Sequence, residues 1–527
     1  MKNLLVRSTL LLLFIPFAGI GQTFDILIKN GKIVDGTGNS WYYGDIGIAN
    51  GKIVAVGRLQ GEAQRTIDAK GLIVAPGFVD VHTHIEGNDV LVPTSPNFVL
   101  DGVTSVVTGN CGSSHVDVAA YFRSIDSVKN SVNIATLIGH NSVRREVLGD
   151  VQRDPTPAEQ KQMEVLVEQA MRQGAVGLST GLIYVPGTYS KTEEVVGLAR
   201  AAARLGGVYA SHIRDEGDRV TEAIEEAIDI GRQANMPVEI SHFKVTYKPN
   251  WGKSVSTVAQ VERARQEGID VTVDQYPYVA SSTTLNTTLP SWALSGGFDS
   301  LKWRLSQAAI RNRIKSEMLQ ALKRKKLTNY SYAVVARYVP DSTLNGKNIS
   351  QINQLRGRKP GAADEAETIL DLVGSTERVQ VVYFSMNEND LKTIMQYPFN
   401  MFASDAGINR FGAGVPHPRA YGTNARVLGQ YVRELKIIRL EEAIRRMTSL
   451  PAQKFQLRDR GLLKEGMAAD IVIFDEKTVG DAATFEKPHA YSKGFYFVLV
   501  NGKITAEHGR HTGERNGVVL RGPGYGR

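Results

Sequence analysis

Cysteine is almost absent: Cys111 is the only one in 527 residues, so no intramolecular disulfide can form and an apolar core must hold the chain together. No low-complexity run marks an extended disordered region. Positive charge is in excess, with a formal net charge of +8, yet it is concentrated in only one place. That cluster, Arg311, Arg313, Lys315, Lys323, Arg324, Lys325 and Lys326, has the spacing of a solvated helix face, which argues against a nucleic-acid partner. The excess suits attraction of carboxylate-bearing small molecules instead. Long apolar runs are missing except at the amino terminus. There Lys2 and Arg7 precede Leu10 to Ile15, and the small residues Ala18, Gly19 and Gly21 follow, the pattern of a secretory signal peptide over residues 1–22. The run falls short of the roughly 20 residues a membrane span needs, and it contains Pro16. The expected protein is exported, periplasmic or secreted, with no stable membrane association once the signal is removed.

What remains is ample for a barrel of about 250 residues and a second module. From residue 23 to 75 the runs are short and strand-like, and Asn30-Gly31 and Asn50-Gly51 are hairpin signals because both residues tolerate positive φ. Similar grammar returns at 469–474 and 497–503, so both ends of the chain, 23–75 and 451–527, are β-rich. Between them, over 76–450, apolar strands alternate with amphipathic helical stretches, which predicts an α/β architecture with parallel strands. Candidate strands are 78–83, 103–108, 134–139, 175–180, 207–211, 238–242, 270–274 and 400–404. The run 379–385 competes with 270–274 for the seventh place. Residues from about 285 to 375 read as an insertion able to cover a site.

The chemistry concentrates where these strands end. In Gly77-Phe78-Val79-Asp80-Val81-His82-Thr83-His84 two imidazoles stand two residues apart, so in extended chain they share a face and can reach one ion. Cys111 ends the second strand, His212 the fifth, His242 the sixth and Asp405 the last. Residues that follow parallel barrel strands converge at one end, so these donors can meet. Imidazole nitrogen, thiolate sulfur and carboxylate oxygen together suit zinc better than magnesium or calcium. Asp405, in the turn-like Ser404-Asp405-Ala406-Gly407, reads equally as a proton carrier beside a metal and as a turn or helix-capping aspartate. Three cations follow the ligands closely and can hold a substrate carboxylate: Arg214, Lys244 and Arg419. No Gly-X-Ser-X-Gly elbow in suitable context points to a serine hydrolase.

Carried by His82-Thr83-His84, Cys111, Ser211-His212-Ile213-Arg214-Asp215-Glu216 and His417-Pro418-Arg419, the chain resembles the metal-dependent amidohydrolases and, within them, the D-aminoacylases, over nearly all of its length after residue 22. The resemblance implies a TIM-type (β/α)8 barrel beside a small discontinuous β-sandwich built from both chain ends. It implies one tightly held zinc on Cys111, His212 and His242, and a second, weaker position on His82 and His84 that shares Cys111. It makes Asp405 the catalytic residue and Arg419 and Lys244 substrate contacts, with Tyr184 and Ser281 or Ser282 as polar neighbours. Many amidohydrolases bridge two metals with a modified lysine after the fourth strand; this chain has Gly177 to Tyr184 there and no lysine, which leaves Cys111 as the bridge. Ala406 and Asn424 depart from the pattern and bear on acyl preference. The implied reaction is hydrolysis of N-acyl-D-amino acids, small-molecule substrates, to a carboxylate and a free D-amino acid. A D-dipeptidase or cyclic-amide hydrolase is the nearest alternative, and an exported binding protein on a degenerate barrel is the rival from another class.

Overall fold

A computed structural model describes residues 23–527; the expected signal segment lies outside the described residues. The chain begins with β1 (Thr23–Ile33), β2 (Tyr42–Ala49), β3 (Lys52–Gly57), β4 (Glu62–Asp68) and β5 (Ile73–Pro76). The parallel set follows: β6 (Phe78–Asp80), β7 (Val103–Thr108), β8 (Asn133–Thr136), β9 (Ile138–Gly139), β10 (Gly177–Gly181), β11 (Val208–His212), β12 (Val238–Ile240) and β13 (Val271–Gln275). Then come β14 (Ser281–Thr284), β15 (Ala333–Arg337), β16 (Gln380–Tyr383), β17 (Asn400–Phe402), β18 (Ile471–Phe474), β19 (Phe495–Val500), β20 (Lys503–Glu507) and β21 (Arg510–His511).

Both chain ends share one sheet of nine strands, in which β5 pairs with β1 on one side and with β18 on the other. Asn50-Gly51 turns β2 into β3 as expected, and Asn501-Gly502 turns β19 into β20; all four residues have positive φ. The two turns press together so closely that a Cβ on Gly502 would lie 2.7 Å from the Gly51 Cα. Asn30-Gly31 is a correction. It makes no turn but a bulge within β1, where the register against β2 shifts between Ile28 and Gly31. Asp45 accepts from the Asn30 N–H and Asp68 from its side chain, so the positive φ of Asn30 is stabilised inside the strand.

β6, β7, β8 with β9, β10, β11, β12, β13 and β17 pair in that order, every pair parallel. A parallel bridge between Thr83 and Ala406 joins the last strand to the first, so eight strand positions form a closed ring. The seventh position belongs to 271–275. The rival run around 379–385 supplies β16, the centre of a three-stranded antiparallel sheet with β14 and β15. That sheet and the helices packed on it have their own apolar cluster, including Leu285, Ile314, Ile369 and Val381. Because β14 begins at Ser281 and β16 ends at Tyr383, the inserted unit is wider than 285–375. Its basic helix, Ala308–Arg324, is tied to the neighbouring acidic helix rather than merely solvated: Arg311 reaches Glu367 and Asp371, and Lys315 reaches Glu367. Among the described residues no helix is long and apolar enough to cross a membrane.

Candidate metal centre

Parallel pairing brings the carboxyl ends of all ring strands to one side, and the predicted donors converge there. Cys111 Sγ lies 3.3 Å from His82 Nε2, 3.5 Å from His212 Nδ1 and 3.6 Å from His242 Nε2. Zinc bound tetrahedrally, at about 2.3 Å from sulfur and about 2.0 Å from nitrogen, would space S and N by about 3.5 Å. The donors therefore fit the ion, although His212 Nδ1 and His242 Nε2, 2.7 Å apart, must part slightly to seat it. Two triads, His82-His84-Cys111 and Cys111-His212-His242, each keep their donor atoms within 4.8 Å of one another and have the thiol in common. Asp405 Oδ1 stands 3.3 Å from His84 Nε2 and 3.7 Å from His82 Nε2. His84 is partly exposed at the mouth; the other donors are buried.

Three of these residues hold a backbone conformation that side chains disfavour. Cys111 has φ 52°, His242 φ 38° and Asp405 φ 49°. A left-handed non-glycine residue costs about 1–2 kcal/mol and persists only where its surroundings over-determine it. Those surroundings are specific. Ser179 on β10 donates to Gly109 O and accepts from Gly112 N, gripping the turn that presents Cys111 from both sides. Asp274 accepts from the His242 N–H at 2.9 Å. The Asp405 N–H donates to His82 O, and Asp80 accepts from the preceding N–H of Ser404.

Carboxylates behind the rings set which nitrogen faces the centre. Asp274 Oδ2 lies 3.1 Å from His82 Nδ1, and Glu216 Oε1 lies 3.1 Å from His242 Nδ1, so both rings present Nε2 inward. Glu216 Oε1 is also 3.6 Å from His212 Nε2 and 2.5 Å from Lys244 Nζ. Burial opposes ionisation of Glu216, but the charges on Lys244, His212 and His242 win and hold it below the usual carboxylate range. Burial likewise resists ionisation of Cys111, yet the His82 charge and hydrogen bonds from His212 and His242 hold its thiol well below the ordinary value. An anionic sulfur ringed by imidazoles is the donor chemistry zinc requires. Glu216→Gln is expected to weaken metal binding by about 10- to 100-fold, the usual effect of removing a carboxylate behind a ligating histidine. Zinc retained against a competing chelator measures it, and unchanged retention would leave Glu216 without that role.

The remaining candidates divide. Arg419 is buried, with its guanidinium 2.8 Å from Asp405 Oδ2, donating to Ser282 O and stacked over Tyr276. Lys244 is buried against His242 and Glu216. Tyr184 sets its ring edge-on to His212 and its hydroxyl 3.0 Å from Thr283 Oγ1. Ser281 and Ser282 open β14 beside Arg419, but Ser282 Oγ is spent on Val381 O. Arg214 is held by its neighbours: Glu226 accepts from its guanidinium at two points, and Thr188 O and Ser190 O accept from it as well. Sequence reasoning missed Glu216, Asp274, Asp80 and Ser179. Each had a signal, namely an acid four residues past His212, one at the end of a ring strand, one two residues before His82, and a serine inside the fourth strand.

With the geometry described, comparison adds kinship. Residues 65–506 match the model of the Amidohydrolase family. The chain is 35% identical over 510 residues to an N-acyl-D-glutamate deacylase of Alcaligenes xylosoxydans xylosoxydans, covering 91% of this chain and 93% of that protein. It is 34% identical over 523 residues to a D-aminoacylase of the same organism, covering 95% and 98%. The crystal structure of N-acyl-D-glutamate deacylase from Bordetella bronchiseptica, complexed with zinc and a phosphonate inhibitor, superposes with a TM-score of 0.81 at 35% identity, over 95% of this chain and all of that one.

Proposed function

This chain belongs to the amidohydrolase family, in its D-aminoacylase branch, and from that premise we propose that it hydrolyses the linear amide bond of N-acyl-D-amino acids with zinc. That it is a hydrolase acting on amide bonds follows from its kinship. The observation that carries this reading is the contact of one carboxylate with both halves of the site. Asp405 Oδ1 faces the imidazoles of His84 and His82, while Oδ2 faces Arg419, the cation suited to an amino-acid carboxylate.

Cys111, His212 and His242 would hold the tighter zinc, and His82, His84 and Cys111 a second, weaker one. When bound, zinc polarises a carbonyl and makes water acidic enough to attack near neutral pH. Asp405 then moves the proton. Burial resists its ionisation, but Arg419, His82 and His84 hold the carboxyl well below its usual range, so it is ionised beside the metal position. Its oxygen takes a proton from the attacking water as the hydroxyl joins the acyl carbon. The same proton passes to the amide nitrogen as the C–N bond breaks, releasing the acid and the free amine. Arg419, with Lys244 and Tyr184 nearby, would orient the substrate by its carboxylate.

The reading extends to the whole chain. Residues 76–450 are a (β/α)8 barrel with an insertion, running from β14 to β16, over the site, 23–75 and 451–527 a β-sandwich, and 1–22 an export signal that delivers the enzyme to the periplasm or the medium. Steady-state kinetics on paired N-acetyl-D- and N-acetyl-L-amino acids, a D-dipeptide and a hydantoin test the proposal. The N-acetyl-D-amino acids should turn over fastest; faster turnover of the L-series, the dipeptide or the hydantoin would refute it.

A further inference from the structure

Asp405 and Arg419 are the two stems of one loop, residues 406–418, and their ion pair closes it. Near the stems the loop is well tied: Asn97 donates to Gly407 O, Asn88 to Ile408 O, and Val415 N to Ala336 O. The tip is different. Among the described residues, the hydrogen bonds that 409–414 makes outside the loop all go to one side chain, His489, which lies far along the chain between β18 and β19. Its Nε2–H donates to Gly414 O at 3.0 Å, and its Nδ1 accepts from Gly412 N at 3.2 Å and from the Tyr421 hydroxyl at 2.9 Å. Phe411 packs its ring on His489 and Tyr491. One imidazole therefore pins the tip to the helix Arg419–Arg426, the helix that begins with the substrate-facing arginine.

We propose that His489 is a positioning residue for the reaction, a clamp by which the carboxyl-terminal segment holds the Asp405–Arg419 loop in register with the metal centre. This rests on the roles given above to Asp405 and Arg419. The physical reason is the tolerance of such sites: a displacement of about 1 Å in a binding or catalytic group can cost about 100-fold in rate. A loop with free φ and ψ at its tip passes that freedom to its stems. The Asp405 stem stays held by its N–H to His82 O and by Asn97 on Gly407 O, whereas His489 reaches the helix of Arg419 through Tyr421, so the expected loss falls on substrate holding, about 10-fold in KM.

The test uses the full-length, zinc-loaded enzyme. His489→Ala should raise KM for an N-acetyl-D-amino acid about 10-fold with kcat changed less than about threefold, and trypsin should now cut after the exposed Arg410. Zinc content and melting temperature should stay those of the wild type. His489→Asn returns an acceptor near the Nδ1 position, so it should recover most of the KM and of the trypsin resistance. An unchanged KM and no new cleavage in His489→Ala would overturn the proposal. So would a loss confined to lowered melting temperature or zinc content, which would make His489 a folding residue. Wild-type protein inactive on every N-acyl-D-amino acid would overturn the function proposed above instead, while trypsin still reads the clamp.

Discussion

Asp405→Asn should lose about 10²- to 10⁴-fold in kcat, the range general acid–base groups contribute, while keeping its zinc and its fold. Asparagine is the informative replacement because Asp405 sits at φ 49°, a left-handed conformation that asparagine tolerates far better than most residues. It fills the same volume and keeps an oxygen beside Arg419, so the proton-carrying ability and the negative charge are removed while packing and backbone are kept. An alanine here would combine that loss with a buried guanidinium deprived of its partner, which by itself costs several kcal/mol. Rate, metal content and circular dichroism on the same preparation decide the matter. A near-normal kcat with zinc in place would take Asp405 out of the proton path.

Cys111→Ala should strip the centre of metal, lowering zinc affinity by more than about 100-fold, because loss of a supporting carboxylate alone costs up to that much. The thiol belongs to two of the donor triads, and it is the one sulfur among the donors. Turnover should fall with the metal. The fold should survive: no disulfide is lost, the turn remains held by Ser179 on both sides, and alanine at φ 52° bears the same backbone cost as cysteine. Zinc titration of the purified variant, with its melting curve, tests this. A variant that binds one equivalent of zinc as tightly as the wild type would mean that the thiol is not the shared ligand.

The alternation of apolar strands with amphipathic helices, the donors at strand ends and the missing lysine after the fourth strand could all be read along the chain, because each is local in sequence. Three features show what such local reading leaves undecided. Asn30-Gly31 has the residue types of a turn, but a bulge uses the same positive φ, and only the acceptors Asp45 and Asp68 choose between them. The run at 379–385 is the more apolar of the two, yet 271–275 is the ring strand, and pairing partners alone separate it from a strand of the inserted sheet. Arg214 follows a ligand as closely as Lys244 does, yet Glu226 on the next helix claims it.

By itself, then, the amino-acid order determined which donor types this protein possesses and that they would stand at the ends of parallel strands, since side-chain chemistry and hydrophobic period are properties of short segments. Only the tertiary structure decided which carboxylates, Glu216 and Asp274, would orient the rings, and which histidine outside the centre would grip its loop. Such choices depend on distances of about 3 Å between side chains brought together from different strands and loops; the residue types can be seen along the chain, but which of them pair cannot.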